Sequence, residues 1–433
     1  MKRYRSHIIY IAVFALTLLM LYLLLVLCAA IPNKAIHANM RKSASYHAQL
    51  DNYTFSEDGQ FRNVTDNLAD RMWLNIGWHM GRGDPFLHAL DTEYYDGEQF
   101  GSALGLHMSV HVGKSPNADY SRYWHGSAGI IRLGHLFTDI GGIKTLGMFF
   151  LVLLIGQTLW LLIRMGHWDL ALCTAAALLC VQVQNLRLSA EYLPTFLICF
   201  GMCPAFLKLE RKGSFYLKVL SVMTGTLTAF FDFLTTETVT ILVPLILVVA
   251  IRSRQRRLGS PRRVMKLLLE CLLCWALAYG GAFLAKWILV SLATGQNHFL
   301  SALASAGERV GGFVSTGMAQ MRPNPFTAVA ANFSVIFQAT SRVEYGRVLA
   351  GLAICAVLMA ALVRMYCMGR KPYPGTFFLL MPGLLVLLRY CVLANHSYLH
   401  AFFTYRALVS VILGIACAFA LNLRPVPMEE WYE

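Results

Sequence analysis

Apolar residues fall in ten runs of near membrane-spanning length, at 8–31, 143–163, 169–186, 192–207, 216–232, 234–251, 264–292, 347–366, 376–394 and 399–421. About 20 apolar residues are needed for a helix to cross the hydrocarbon layer, so each run predicts a spanning helix. The fourth and fifth are short enough to be tilted or partly re-entrant. Continuous apolarity, without period-2 alternation, excludes a transmembrane barrel. The expected fold is therefore an all-α polytopic membrane protein, one domain over 1–433 with no internal repeat.

Two polar stretches interrupt this pattern. The larger, Pro32 to Gly142, separates the first two runs and carries 12 of the 23 acidic residues and 8 of the 13 histidines. Within it, 37–50 and 68–80 are mildly amphipathic and predict juxtamembrane helices lying in the interface, where Trp73 and Trp78 prefer to sit. The second stretch, 294–346, predicts a compact helix at 299–310. A Gly-rich turn and the breaker Pro323-Asn-Pro325 follow it.

Charge adds orientation. Lys2, Arg3 and Arg5 precede the first run, Lys208 to Lys218 join the fourth to the fifth, Arg252 to Lys266 the sixth to the seventh, and Arg364 to Lys371 the eighth to the ninth. With ten spans these clusters share one side, which the positive-inside rule makes the cytoplasm. Both termini then face inward, and 32–142 and 294–346 face outward. The net charge of +14 is mostly this topology signal, in short loops beside helices, so nucleic acid is excluded as a partner; membrane lipids are expected. The first run, 24 residues long, exceeds a secretory h-region of about 7–15 residues and is read as an anchor. All 11 cysteines lie in or at the ends of apolar runs, which argues against a disulfide framework.

Candidate chemistry gathers at the outward level. Charges within spans are costly and usually face a partner or cavity. Lys286, Arg389 and Arg406 lie in the outer halves of their runs, Asp232 and Glu237 bracket the 232–238 turn, and Glu191 stands on another connection at that level. Snorkelling accounts for any one of them, but six on one side predict a shared polar site. The stretch Tyr120-Ser-Arg-Tyr-Trp-His-Gly126 supplies Arg122 for a phosphate, with Trp124 and His125 beside it for a sugar or headgroup; the plainer reading is an aromatic belt. His396 and His400 share a helical face, as do His107 and His111, but neither pair has a third ligand nearby in sequence, so no metal site is assigned. Asp91 and Glu93 form an acidic pair suited to a general base or to a divalent ion bridging a phosphate; the plainer reading is solvated loop acids.

This layout, with its large first outer segment, resembles in architecture the GT-C superfamily of integral-membrane glycosyltransferases, while the local signatures at 120–126, Phe231-Asp-Phe-Leu-Thr-Thr236 and His396-Ser-Tyr-Leu-His400 resemble those of bacterial multi-span proteins. The resemblance implies transfer of a sugar from a polyprenyl-phosphate donor to an acceptor on the outer face of a bacterial cytoplasmic membrane. Arg122, Lys286, Arg389 and Arg406 would then hold the phosphate, Trp124, His125, His396 and His400 would line the substrate site, and a carboxylate would take the acceptor proton. Family members commonly carry an acidic residue soon after the first span. Here none occurs before Asp51, so the base is sought among Asp91, Glu93, Glu191 and Asp232. The alternatives are a transporter or flippase for an anionic lipid or glycan, and a non-catalytic membrane scaffold.

Overall fold

The computed structural model describes residues 2–55, 63–97, 102–255, 257–316, 319–337 and 375–422. Among them the chain is helical, with three two-stranded antiparallel pairs: Tyr53–Thr54 with Thr65–Asp66, Glu93–Tyr94 with Ala118–Asp119, and Val314–Thr316 with Ala319–Met321. Six stretches are long and apolar enough to cross a membrane: Ser6–Ala29, Ile140–Arg164, Ala190–Lys212, Ser214–Phe231, Pro261–Thr294 and Ala401–Asn422. They coincide with six of the ten expected runs. Three others form shorter apolar helices of 13, 16 and 17 residues, Trp168–Cys180, Val239–Arg254 and Thr376–Val392. At about 1.5 Å per residue, 13 residues reach only about 20 Å. The run at 347–366 lies outside the described residues.

Burial separates the helices by role. Val239–Arg254 is apolar all round and is buried at every position from Val239 to Ile251, as expected for a helix at the centre of a bundle. It packs against Pro194–Leu209, Thr376–Val392 and Val409–Asn422. Lys2–Ala29 and Ile140–Arg164 instead expose large apolar side chains, including Ile11, Met20, Phe149 and Trp160, which suits a lipid-facing position. Ser214–Phe231 packs closely on Pro261–Thr294, where Gly225 has no room for a Cβ against the Trp275 carbonyl. Within the former helix Ser221, Thr224, Thr226 and Thr228 each donate their hydroxyl to the carbonyl four residues back, so these four hydroxyls are satisfied within the helix itself.

The 32–142 segment forms a second core with the first helix and one end of Pro261–Thr294. Its helices Asn33–His47, Asn67–His79 and Gly126–Gly134 pack on one another, Gly77 lying close against the Ala128 carbonyl. The expectation of an interfacial helix at 68–80 meets a different outcome: nearly every residue from Asn67 to His79 is buried, and its polar groups are used internally. Asn75 bonds both the amide and the carbonyl of Tyr95, and Trp78 donates to Ser109 O. Arg132, fully buried, ties the segment to the first helix by donating to the carbonyls of Cys28, Ile31 and Gly77 and to Asn33 Oδ1.

Candidate functional site

The site is built on the connection between two apolar helices. Ser214–Phe231 ends at Asp232, and Val239–Arg254 begins seven residues later, so a polar turn is held inside the fold. Asp232 closes the turn by accepting from Thr235 N at 3.2 Å and Thr235 Oγ1 at 2.6 Å. Leu234 takes a left-handed φ of 62°, a conformation unusual for a residue with a Cβ. The Arg389 guanidinium explains why it persists: Nη2 donates to Leu234 O at 3.0 Å, while Nε and Nη2 grip the Glu237 carboxylate at 2.8 and 3.3 Å. Nη1 donates to Ser397 Oγ at 2.9 Å. Arg389, expected as a phosphate ligand, thus has its guanidinium engaged on all three nitrogens and serves as a clamp.

A second element arrives from 120–126. His125 has a left-handed φ of 54° and precedes the Gly126–Gly134 helix; Gly126 itself leaves no space for a side chain beside Phe230, its Cβ position lying 2.8 Å from Phe230 O. This sharp corner buries Trp124, which donates to Ala282 O at 2.7 Å and stacks on Phe230. His125 Nε2 donates to Tyr120 O at 2.8 Å, leaving Nδ1 as a buried acceptor with no hydrogen-bond partner among the described residues. Burial pushes the imidazole down to about 3, so it is neutral at ordinary pH.

The same corner aims Tyr120 and Tyr123 at the turn. Tyr123 lies 4.9 Å from Phe233, ring centre to ring centre, and Tyr120 lies 5.5 Å from it. The Arg122 guanidinium sits 4.0 Å over Tyr120 and 5.6 Å from Tyr123. Arg309, carried by the helix His298–Gly311, approaches the same Tyr123 ring at 5.6 Å. Nε of both arginines is buried without a hydrogen-bond partner among the described residues. Two guanidinium groups from distant segments therefore flank one tyrosine, and Tyr123 is within electrostatic reach of Asp232. Such a grouping offers an anion two forked donors, a ring face and a carboxylate.

The other expected residues are distributed around this centre. His396 and His400 lie 4.7 Å apart, within electrostatic reach of Arg309 and Arg389, and His400 stacks on Phe403. Lys286 is fully buried, donates to Leu90 O and lies 5.4 Å over the Trp124 ring, with Asp91 and Asp119 as its nearby acids. Asp91 accepts from Ser121 Oγ at 3.1 Å, and Glu93 pairs across strands with Asp119. Burial, then the Asp91 charge, raise the proton affinity of Glu93. Glu191 belongs to a separate acidic group: it is buried within electrostatic reach of Asp66 and Asp70, and Asp70 accepts from Lys144 at 3.0 Å. Arg406 stacks 4.5 Å over Tyr192 and 4.9 Å from Tyr405, next to that acidic group rather than on Asp232.

The structure thus brings Arg122, His125, Asp232 and Arg389 together, with Trp124, His396 and His400 beside them. Asp91, Glu93 and Lys286 form one neighbouring group, Glu191 and Arg406 another. Sequence reasoning missed Arg309, Tyr123 and Phe233. The last two lie inside the stretches singled out, and Arg309 lies in the helix expected at 299–310, but nothing in the pattern says which loop cation folds back. Among the described residues, no group of three or more His, Cys, Asp or Glu is arranged to hold a metal ion. Comparison with known protein families, curated proteins and solved structures finds no match for this chain.

Proposed function

We propose that the chain is a membrane glycosyltransferase that moves a sugar from a polyprenyl-phosphate donor to an acceptor hydroxyl, with Asp232 as the base. The observation that carries this reading is the convergence of Arg122 and Arg309 on Tyr123 beside Phe233 and Asp232. A phosphate leaving group needs fixed cations at the oxygens where charge grows, which suits two guanidinium groups whose Nε atoms have no hydrogen-bond partner among the described residues, Arg309 being held through Nη1 by Ser305 O at 2.9 Å. A sugar ring packs on aromatic faces, here Tyr123 and Phe233. The acceptor oxygen attacks the anomeric carbon, the anomeric carbon–oxygen bond breaks, and the phosphate leaves with its electron pair. Asp232 takes the acceptor proton. His125 Nδ1, neutral and without a partner among the described residues, accepts a hydrogen bond from a sugar or acceptor hydroxyl.

In this reading Arg389, Lys286, Arg406 and Trp124 position the site. Ten spans, with both termini in the cytoplasm of a bacterium and 32–142 outside, put Asp232 and Arg122 at the outer surface of the plasma membrane, where lipid-linked sugars are used. The placement of Lys and Arg along the sequence supports that orientation. The test is lipid-linked sugar consumption by the purified chain with Arg122→Ala and Arg309→Ala. Each is expected to lose most of its turnover, and unchanged turnover in both overturns the assignment.

A further inference from the structure

The bundle end opposite the 32–142 segment holds a cavity of about 490 Å³ between the start of Ser214–Phe231, the end of Val239–Arg254 and the start of Pro261–Thr294. That volume is in the range of small-ligand sites. Its charged lining is one-sided: Lys218, Arg252, Arg257, Arg263 and Lys266 against Glu270. From the sequence these cations read as topology signals; the fold gathers them round a single space.

Some of this charge is already compensated. Arg252 and Arg257 grip the buried Glu210, Nε–Oε2 3.2 Å and Nη2–Oε1 2.6 Å, so that carboxylate braces two lining arginines from behind. Lys218 pairs with Glu270 at 3.0 Å, and Lys266 reaches the other oxygen of the same carboxylate at 4.0 Å. Arg263 has no ion pair among the described residues. Four lining cations share two carboxylates and Arg263 adds a fifth, so positive charge is left facing the cavity. The long helix Pro261–Thr294 also begins there, adding the positive end of its dipole.

We infer that this cavity binds a phosphate group, and the surrounding surface favours the headgroup of an anionic lipid. Lys266 and Glu270 begin a stripe that continues at the i+3 and i+4 positions Leu273 and Leu277, both of which are exposed. An acyl chain lying along those leucines leaves its phosphate at Arg263 and Lys266. This site stands apart from Asp232 and Arg122 and does not rest on their proposed role.

The experiment measures binding to the purified full-length chain in neutral detergent, titrated with short-chain phosphatidic acid, short-chain phosphatidylcholine or inorganic phosphate. Arg263→Gln with Lys266→Gln is compared with Arg164→Gln with Lys208→Gln, which removes equal charge at the same end outside the cavity. Both pairs alter exposed side chains, and Arg263→Gln alone, which breaks no ion pair, serves as the second variant. Phosphatidic acid is expected to bind more tightly than phosphatidylcholine, and the cavity pair to weaken it about tenfold while the outside pair leaves it unchanged. Equal competition by inorganic phosphate identifies free phosphate as the source; its failure to compete identifies the lipid. Equal weakening by both pairs, or none by the cavity pair and by Arg263→Gln, overturns the proposal.

Discussion

Arg389 and Glu237, 152 positions apart in sequence, meet in a two-point ion pair with Nε–Oε1 at 2.8 Å, and the same guanidinium holds the carbonyl of the left-handed Leu234. The pair fixes the turn that presents Asp232 and Phe233. It also explains why a cation deep in an apolar helix is tolerated: every charge is matched at close range.

Removing one partner strands the other in a buried setting. Arg389→Met or Glu237→Gln alone is expected to cost about 3–5 kcal/mol. The double variant Arg389→Met with Glu237→Leu is expected to cost clearly less than the sum. Thermal unfolding in detergent provides the comparison, and additive losses contradict the clamp.

Gly225 and Gly280 both lie in helices of one contacting pair, but only Gly225 faces its partner. An added methyl at Gly225 collides with the Trp275 carbonyl, whereas Gly280 meets open space. Gly225→Ala should destabilise by about 1–3 kcal/mol through separation of the two helices. Gly280→Ala should be neutral or slightly stabilising, because alanine is the better helix former. Unfolding midpoints of the two variants decide it.

The 32–142 segment should loosen in mild acid. Burial pushes His125 and His79 down to about 3 and His47 down to about 4, all below the unfolded value of about 6.5. Between those limits the unfolded chain binds more protons, so stability falls as pH drops from about 6.5 towards 4, by up to about 1.4 kcal/mol per unit for each histidine. Asp66, raised to about 6 by burial, works the other way and contributes stability that is lost as pH rises through 6. Tryptophan fluorescence, to which Trp73, Trp78 and Trp124 contribute three of the eight indoles, follows the change, and His47→Gln with His79→Gln should flatten the slope.

Arg309→Lys separates charge from fork geometry. Lysine keeps the cation but not the planar pair of donors, so turnover should fall by about tenfold or more while folding is retained. Recovery of full turnover by lysine would assign Arg309 a purely electrostatic part.

The sequence and the structure agree most closely where periodicity and length decide the outcome. Nine of the ten apolar runs, all those among the described residues, contain helices, and the buried Val239–Ile251 stretch is legible because no face of it is polar. Trp168–Cys180 is shorter than its run suggested, because Gln182 takes a left-handed φ and the chain continues as a 3₁₀ turn; no composition signal marks that residue. Asn67–His79 looked interfacial because its polar residues find their partners in segments far along the chain, such as Tyr95 and Ser109. For the site, sequence placed Arg122 and Asp232 at one level but could not separate clamps from free donors. Arg389 and Arg406 read alike as cations inside runs; only the neighbours Glu237, Tyr192 and Tyr405 distinguish them. Arg309 was hidden for the same reason, since its contact with Tyr123 spans two polar stretches.

The most direct measurement is turnover of a lipid-linked sugar by Asp232→Asn in the full-length chain, with folding checked by its unfolding midpoint. Asparagine keeps the size and can still accept from Thr235, but it cannot take a proton. A loss of about 100-fold or more with the fold intact is the predicted result. Turnover equal to that of the unaltered chain would contradict the assignment of Asp232 as the base.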